Sequence, residues 1–211
     1  MALLACKAPP AEQGSVSNED AAVAVGAAIE TAVEATEGAV ISDQFEEERE
    51  REAILQATSL PQPTCEEEPL ATYFFTLMGR NSVDNCGQRN PAVIAAFDAL
   101  IVEAKEAELP DPDIPPLSDR LLSGPSAPGQ PYSVDGVTWW YYTACQAHQC
   151  NTNFLALLYL PSEQRAVGRL AARCRAWWLG SPSAAQRALI DAIDPVHTEY
   201  QDDAASCGLG S

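Results

Sequence analysis

Tyr132-Ser133-Val134-Asp135-Gly136-Val137-Thr138-Trp139-Trp140-Tyr141-Tyr142-Thr143 is the stretch that decides the fold. Asp135-Gly136 lies between two β-prone runs, and Asp-Gly there is a strong signal for a two-residue hairpin. Within the second run alternate side chains face opposite sides of a sheet, so the aromatics read as strand core on both faces. The pattern continues downstream: Asn153 to Leu160 reads as a strand, Pro161 to Gln164 as a turn, and Ala166 to Arg173 as a strand. Trp177-Trp178-Leu179 adds a last short one. The result is a meander of four or five antiparallel strands.

Upstream, the aromatic run Tyr73 to Met78 predicts another strand, followed by a polar segment, Gly79 to Arg89, that carries Cys86. A helix then begins with Asn90 as its cap and Pro91 in its first turn. Val93, Ile94, Phe97, Leu100, Ile101 and Ala104 recur at helical spacing and form an apolar face suited to a sheet. Leu109 to Gln130 is rich in proline and reads as a connector. Near the end, Ser181 with Pro182 predicts a helix through Ala185, Leu189, Ile190 and Ile193. Strand, helix, connector, meander and helix make an α+β domain, an antiparallel sheet of about five strands with helices on its faces. It should occupy residues 69–196, with residues 197–211 as a tail.

Residues 1–64 hold one aromatic, Phe45, of the fifteen in the chain. Ser17 with Asp20 resembles a capping box, and Val25, Ile29, Ala32 and Val33 share a helical face. The run Glu46 to Glu52 permits a Glu47–Arg51 pair at helical spacing. Residues 7–68 read as an acidic, partly helical arm or tether preceding the domain. At the front, Leu3-Leu4-Ala5-Cys6 looks like the end of a lipobox, which makes Cys6 a lipidation candidate and residues 1–6 the remnant of a signal. Five residues precede Cys6, fewer than the apolar stretch of a whole signal peptide. No other segment is long and apolar enough to span a membrane.

The chain of 211 residues carries 12 Lys+Arg against 30 Asp+Glu, a net charge of −18. Nucleic acid is excluded as a partner, because phosphate binding needs a basic face. A basic protein is favoured, because opposite fields speed encounter. Seven cysteines point to an oxidising compartment. With Cys6 set aside, six remain, enough for three bridges.

Cys145-Gln146-Ala147-His148-Gln149-Cys150 interrupts the meander between two strands. Its cysteines can close a small ring around one of the two histidines in the chain. So short a ring gains little entropy but rigidifies a local shape, and a preorganised loop loses less on binding. Cys145, His148 and Cys150 could also be read as metal ligands, with His197, Cys174 or a distant carboxylate as a fourth. The paired ligand clusters of a zinc site are missing, so no metal or cofactor is expected. A Cys–His catalytic pair needs a free thiolate, which the second cysteine opposes, and the chain does not read as an enzyme. Cys65, Cys86, Cys174 and Cys207 allow three pairings, and the sequence does not choose. His197 is given no role.

The segment Trp140 to Cys150 resembles the signature of the Ivy family, inhibitors of C-type lysozyme from Gram-negative bacteria. That family carries C-K-P-H-D-C after an aromatic strand ending in a small residue. The likeness extends over Ala95 to Leu100, Leu109-Pro110, Phe154 to Tyr159, Ala166 to Leu170 and Trp178-Leu179. It implies a periplasmic or lipid-anchored protein, often dimeric, that protects the cell wall. By the resemblance, Cys145 and Cys150 close a loop that plugs the lysozyme cleft, and His148 is the key contact with the two catalytic carboxylates. Three loop positions depart from the pattern: Gln146 stands for lysine, Ala147 for proline and Gln149 for aspartate. The departures leave room for another basic peptidoglycan hydrolase as target, such as a lytic transglycosylase or muramidase toxin, or for an envelope module using only the fold.

Overall fold

The computed structural model describes residues 45–80, 84, 86–108, 111–172 and 175–195. The expected lipobox, the Ser17 and Val25–Val33 features, Cys174, His197 and the C-terminal tail lie outside them. The chain divides into two units, residues 1–49 and 50–211. Of the first, residues 45–49 are helical and exposed, with Arg49 3.9 Å from Glu46.

The second unit is built on one antiparallel sheet of five strands in the order β1-β2-β3-β4-β5. These are β1 (Gln130–Val134), β2 (Val137–Cys145), β3 (Phe154–Leu160), β4 (Arg165–Ala172) and β5 (Arg175–Leu179). The α+β meander read from the sequence is the architecture found. Asp135 and Gly136 both take positive φ, 53° and 76°, as a tight hairpin turn requires, and Val134 pairs with Val137 across it.

The pleat sorts the aromatic run. Trp140 and Tyr142 join one core with Leu155, Leu157, Tyr159 and Leu170, while Trp139 and Tyr141 join a second with Leu158, Leu160 and Val167. Each face is covered. On the first lie α2 (Phe74–Leu77), α3 (Pro91–Val102) and α4 (Leu117–Leu121), which bring Phe74, Phe97, Leu100, Leu117 and Leu121. On the second lies α5 (Ala184–Ile193), with Leu189 and Ile190. Residues 50–58, helical and here termed α1, add Ile54 and Leu55 to that face. Arg51 Nε donates to the Ala192 carbonyl at 2.6 Å. Residues 50–68, read in the sequence as arm, thus contribute to the sheet's second layer and outer edge. Ser59 bridges Tyr132, and Leu60 N–H donates to Pro131 O at 3.3 Å.

Capping follows the sequence at one helix and shifts at another. Asn90 Oδ1 accepts from the amides of Ala92 (3.0 Å) and Val93 (3.2 Å), with Pro91 in the first turn. At α5 the cap is Ser183, in a reciprocal capping box with Gln186, and not Ser181. Ser181 has φ 55°, left-handed backbone that an N-cap does not use. A second expectation also fails. Tyr73 to Met78 is a helical turn, with Leu77 N–H on Tyr73 O and Met78 N–H on Phe74 O. A six-residue apolar run carries no period that separates strand from buried helix. Burial decides: Phe74, Thr76 and Leu77 are enclosed. Phe74 packs edge-on against Phe97, centroids 5.6 Å apart, and against Tyr142 at 5.4 Å. The proline-rich connector also holds more structure than expected, since α4 lies within it with Leu117 and Leu121 fully buried.

Among the described residues two arginines are buried. Arg169 on β4 pairs with Asp191 and donates to the Asp194 carbonyl, tying the sheet to α5, and its guanidinium stacks over Trp178. Arg120, on α4, donates from Nε to the Pro115 carbonyl at 3.0 Å. Among the described residues no helix is long and apolar enough to cross a membrane.

Candidate functional site: the Cys145–Cys150 loop

β2 ends at Cys145 and β3 begins at Phe154, and these two residues face each other in register. The chain between them is the loop singled out in the sequence. Cys145 and Cys150 are disulfide-bonded, with Cα atoms 4.9 Å apart. Joined in this way, neither offers a thiolate to a metal or to a substrate.

Inside the ring, Gln149 N–H donates to Gln146 O at 3.0 Å, closing a four-residue turn with Ala147 and His148 at its corners. His148 is exposed and has φ 63°. Positive φ at the second corner belongs to a type II turn, a place usually given to glycine or asparagine. A histidine held there costs about 1 kcal/mol or more of backbone strain. The second half of the loop is a further pair of turns. Thr152 and Asn153 amides both donate to Gln149 O, at 3.0 and 2.8 Å, and Asn153 Nδ2 donates to Gln149 Oε1 at 2.9 Å. Gln146 N–H donates back to Asn153 O at 3.1 Å, so the ladder closes beneath the ring.

The loop's root rests on the turn after α4. Gly124 N–H donates to Cys145 O at 2.8 Å. A Cβ on Gly124 would lie 2.5 Å from that oxygen and 2.9 Å from Cys145 Sγ, so only glycine fits. Ser123 Oγ accepts from Ala147 N–H at 3.0 Å, and Arg120 Nη1 donates to Gln146 Oε1 at 3.3 Å. The sequence reading found all six loop residues, and the structure brings them together. It missed Arg120, Ser123 and Gly124, which sit in the connector more than twenty residues upstream. No local periodicity marks them.

The second disulfide joins Cys65 to Cys86, selecting among the pairings the sequence left open. Asp84 lies beside it. Its carboxylate accepts from Thr72 Oγ1 and from Gly87 N–H at 2.8 Å. Burial alone would raise this carboxyl, but those bonds, with the amides of Tyr73 and Cys86, together hold it below its ordinary value. Ligand atoms of Cys65, Asp84 and Cys86 lie within 4.8 Å of one another, yet both sulfurs are spent on the bridge. A groove of about 670 Å³ opens nearby, lined among others by Pro63, Tyr73, Pro128, Tyr132, Tyr141 and Ile193. Burial pushes the Tyr141 phenol far above its ordinary value, so its hydroxyl stays neutral.

No family model, curated protein or solved structure matches this chain.

Proposed function

We propose that the chain is an inhibitor of C-type lysozyme of the Ivy kind, acting in the periplasm, anchored there through Cys6. It is not an enzyme on this reading. The Cys145–Cys150 loop enters the lysozyme cleft and His148 meets the two catalytic carboxylates. The observation that carries the reading is His148 itself: exposed, at the corner of a disulfide-closed turn, in a backbone conformation a histidine seldom adopts. Strain of this kind persists where the surroundings over-determine it, and it clusters at binding sites.

The chemistry is complementary. Glycoside hydrolysis uses two carboxyl groups, one acting as acid and one ionised. A charged imidazole between them donates from both nitrogens, each charge-assisted bond being worth about 1.5–3 kcal/mol. Acidity supports encounter with a basic enzyme. Residues 1–49 hold 10 of the 30 acidic residues and 2 of the 12 basic ones, so the attracting charge is divided between that segment and residues 50–211.

A second target class has one observation in its favour. Gln146, Ala147 and Gln149 leave the loop with no carboxylate, ammonium or guanidinium side chain. A cleft that demands an anion and a cation flanking the histidine is served less well, and a lytic transglycosylase or muramidase toxin is the alternative partner.

The test is inhibition of wall lysis by a C-type lysozyme, using oxidised protein with His148→Ala alongside. Inhibition that the variant loses supports the plug. Failure of the intact, oxidised protein to inhibit would remove lysozyme as the target and direct the assay to the other hydrolases.

A further inference from the structure

We propose that Arg120 is a positioning residue for the loop, and that it dictates a neutral or acidic acceptor at position 146. The inference rests on reading the loop as the target-binding element, and it names what holds that element in place. Arg120 is 6 % exposed, and burying a cation is costly unless it is paired and hydrogen-bonded. Nε donates to Pro115 O at 3.0 Å and Nη1 donates to Gln146 Oε1 at 3.3 Å, while Nη2 makes no hydrogen bond and is ion-paired with Glu108 Oε2 at 3.7 Å.

The partners of Arg120 are themselves fixed. Both oxygens of Glu108 accept from Leu117 N–H at 3.0 Å, which caps α4 from nine residues upstream. The Arg120 carbonyl accepts from Ser123 Oγ at 2.6 Å, and that same hydroxyl accepts from Ala147 N–H. Three consecutive loop residues are thus gripped by α4 and the turn after it: Cys145 by Gly124, Gln146 by Arg120, and Ala147 by Ser123. His148 is the next residue, the first beyond the grip. The disulfide closes the ring, and Arg120 aims it.

The geometry disfavours a cation at 146. A lysine there would place an ammonium against a guanidinium that has little access to water, and like charges repel strongly at low dielectric. A carboxylate would instead gain a charge-assisted bond.

The experiment is hydrogen exchange at the Ala147 amide in the oxidised full chain, for Gln146→Lys and Gln146→Glu, together with binding to C-type lysozyme. Gln146→Lys should speed exchange about tenfold or more, as expected for losing a bond to a charged group, while Gln146→Glu exchanges no faster than native. Arg120→Gln should remove the difference between the two variants. A purely structural arginine would give no such dependence on the charge at 146. The lysozyme complex should dissociate faster for Gln146→Lys and not for Gln146→Glu. Equal exchange in both variants would overturn the proposal, and that contrast stands even if Arg120→Gln does not fold. If the native chain binds no lysozyme, the proposed target falls while the exchange contrast still decides the clamp.

Discussion

The two disulfides among the described residues act differently. Cys65–Cys86 joins residues 21 apart and fastens the segment before α2 to the segment before α3. Cys145–Cys150 joins residues five apart and fastens a loop to itself. In the chain-entropy picture the wider ring restricts the unfolded chain more, about 3 against about 2 kcal/mol. The surroundings differ in the same sense. Beside the wide ring a carboxylate, Asp84, collects hydrogen bonds from Thr72, Tyr73, Cys86 and Gly87, which stabilise its charged form. Within the small ring His148 is held in left-handed backbone, which stores strain. One bridge secures the fold, and the other shapes a protrusion.

The largest effect should come from breaking the wide ring. Cys65→Ser with Cys86→Ser is expected to lose about 3 kcal/mol in denaturant unfolding while leaving target binding intact below the new melting point. Opening the small ring, with Cys145→Ser and Cys150→Ser, should lose about 2 kcal/mol or less and abolish inhibition. Equal loss of inhibition in both pairs would erase the distinction between the bridges.

Asp84 makes the surroundings of the wide ring sensitive to pH. Its folded value is depressed, so its stabilisation is complete above the ordinary aspartate value and is lost as pH falls through the folded one. Melting temperature should therefore drop on acidification below about pH 4, with a shallower slope for Asp84→Asn. An unchanged slope would mean that other carboxylates dominate.

The smallest effect is the most telling. His148→Gly should stabilise the protein by about 0.5 kcal/mol, the relief of left-handed strain exceeding the freedom added to the unfolded chain. Binding should be lost at the same time. A variant that gains stability and loses inhibition would mark His148 as kept for function at the expense of the fold.

Two of the three loop residues that depart from the Ivy pattern are held by the mount. Gln146 faces Arg120, so a lysine would be misplaced there. Ala147 uses its amide on Ser123, a bond proline could not make. The mount and the loop are matched, although the residues of the mount are far off in sequence.

What the sequence determined by itself is whatever depends on near neighbours. Asp135-Gly136 set the hairpin because positive φ at both positions is a local demand. Alternation sorted Trp139 and Tyr141 from Trp140 and Tyr142, and Asn90 with Pro91 began α3. The six residues of the loop were legible because two cysteines five apart bracket them. Only the tertiary structure decided the rest. Tyr73 to Met78 became a helical turn because Phe97 and Tyr142 enclose it, against its aromatic preference for strand. The α5 cap moved to Ser183, where Gln186 completes the box. Arg120, Ser123 and Gly124 acquired their role when the connector folded against the end of β2, and Cys65 met Cys86 by the same route. Such pairings close long loops of chain, and their energy comes from burial and hydrogen bonds between segments that carry no mark of each other in the sequence.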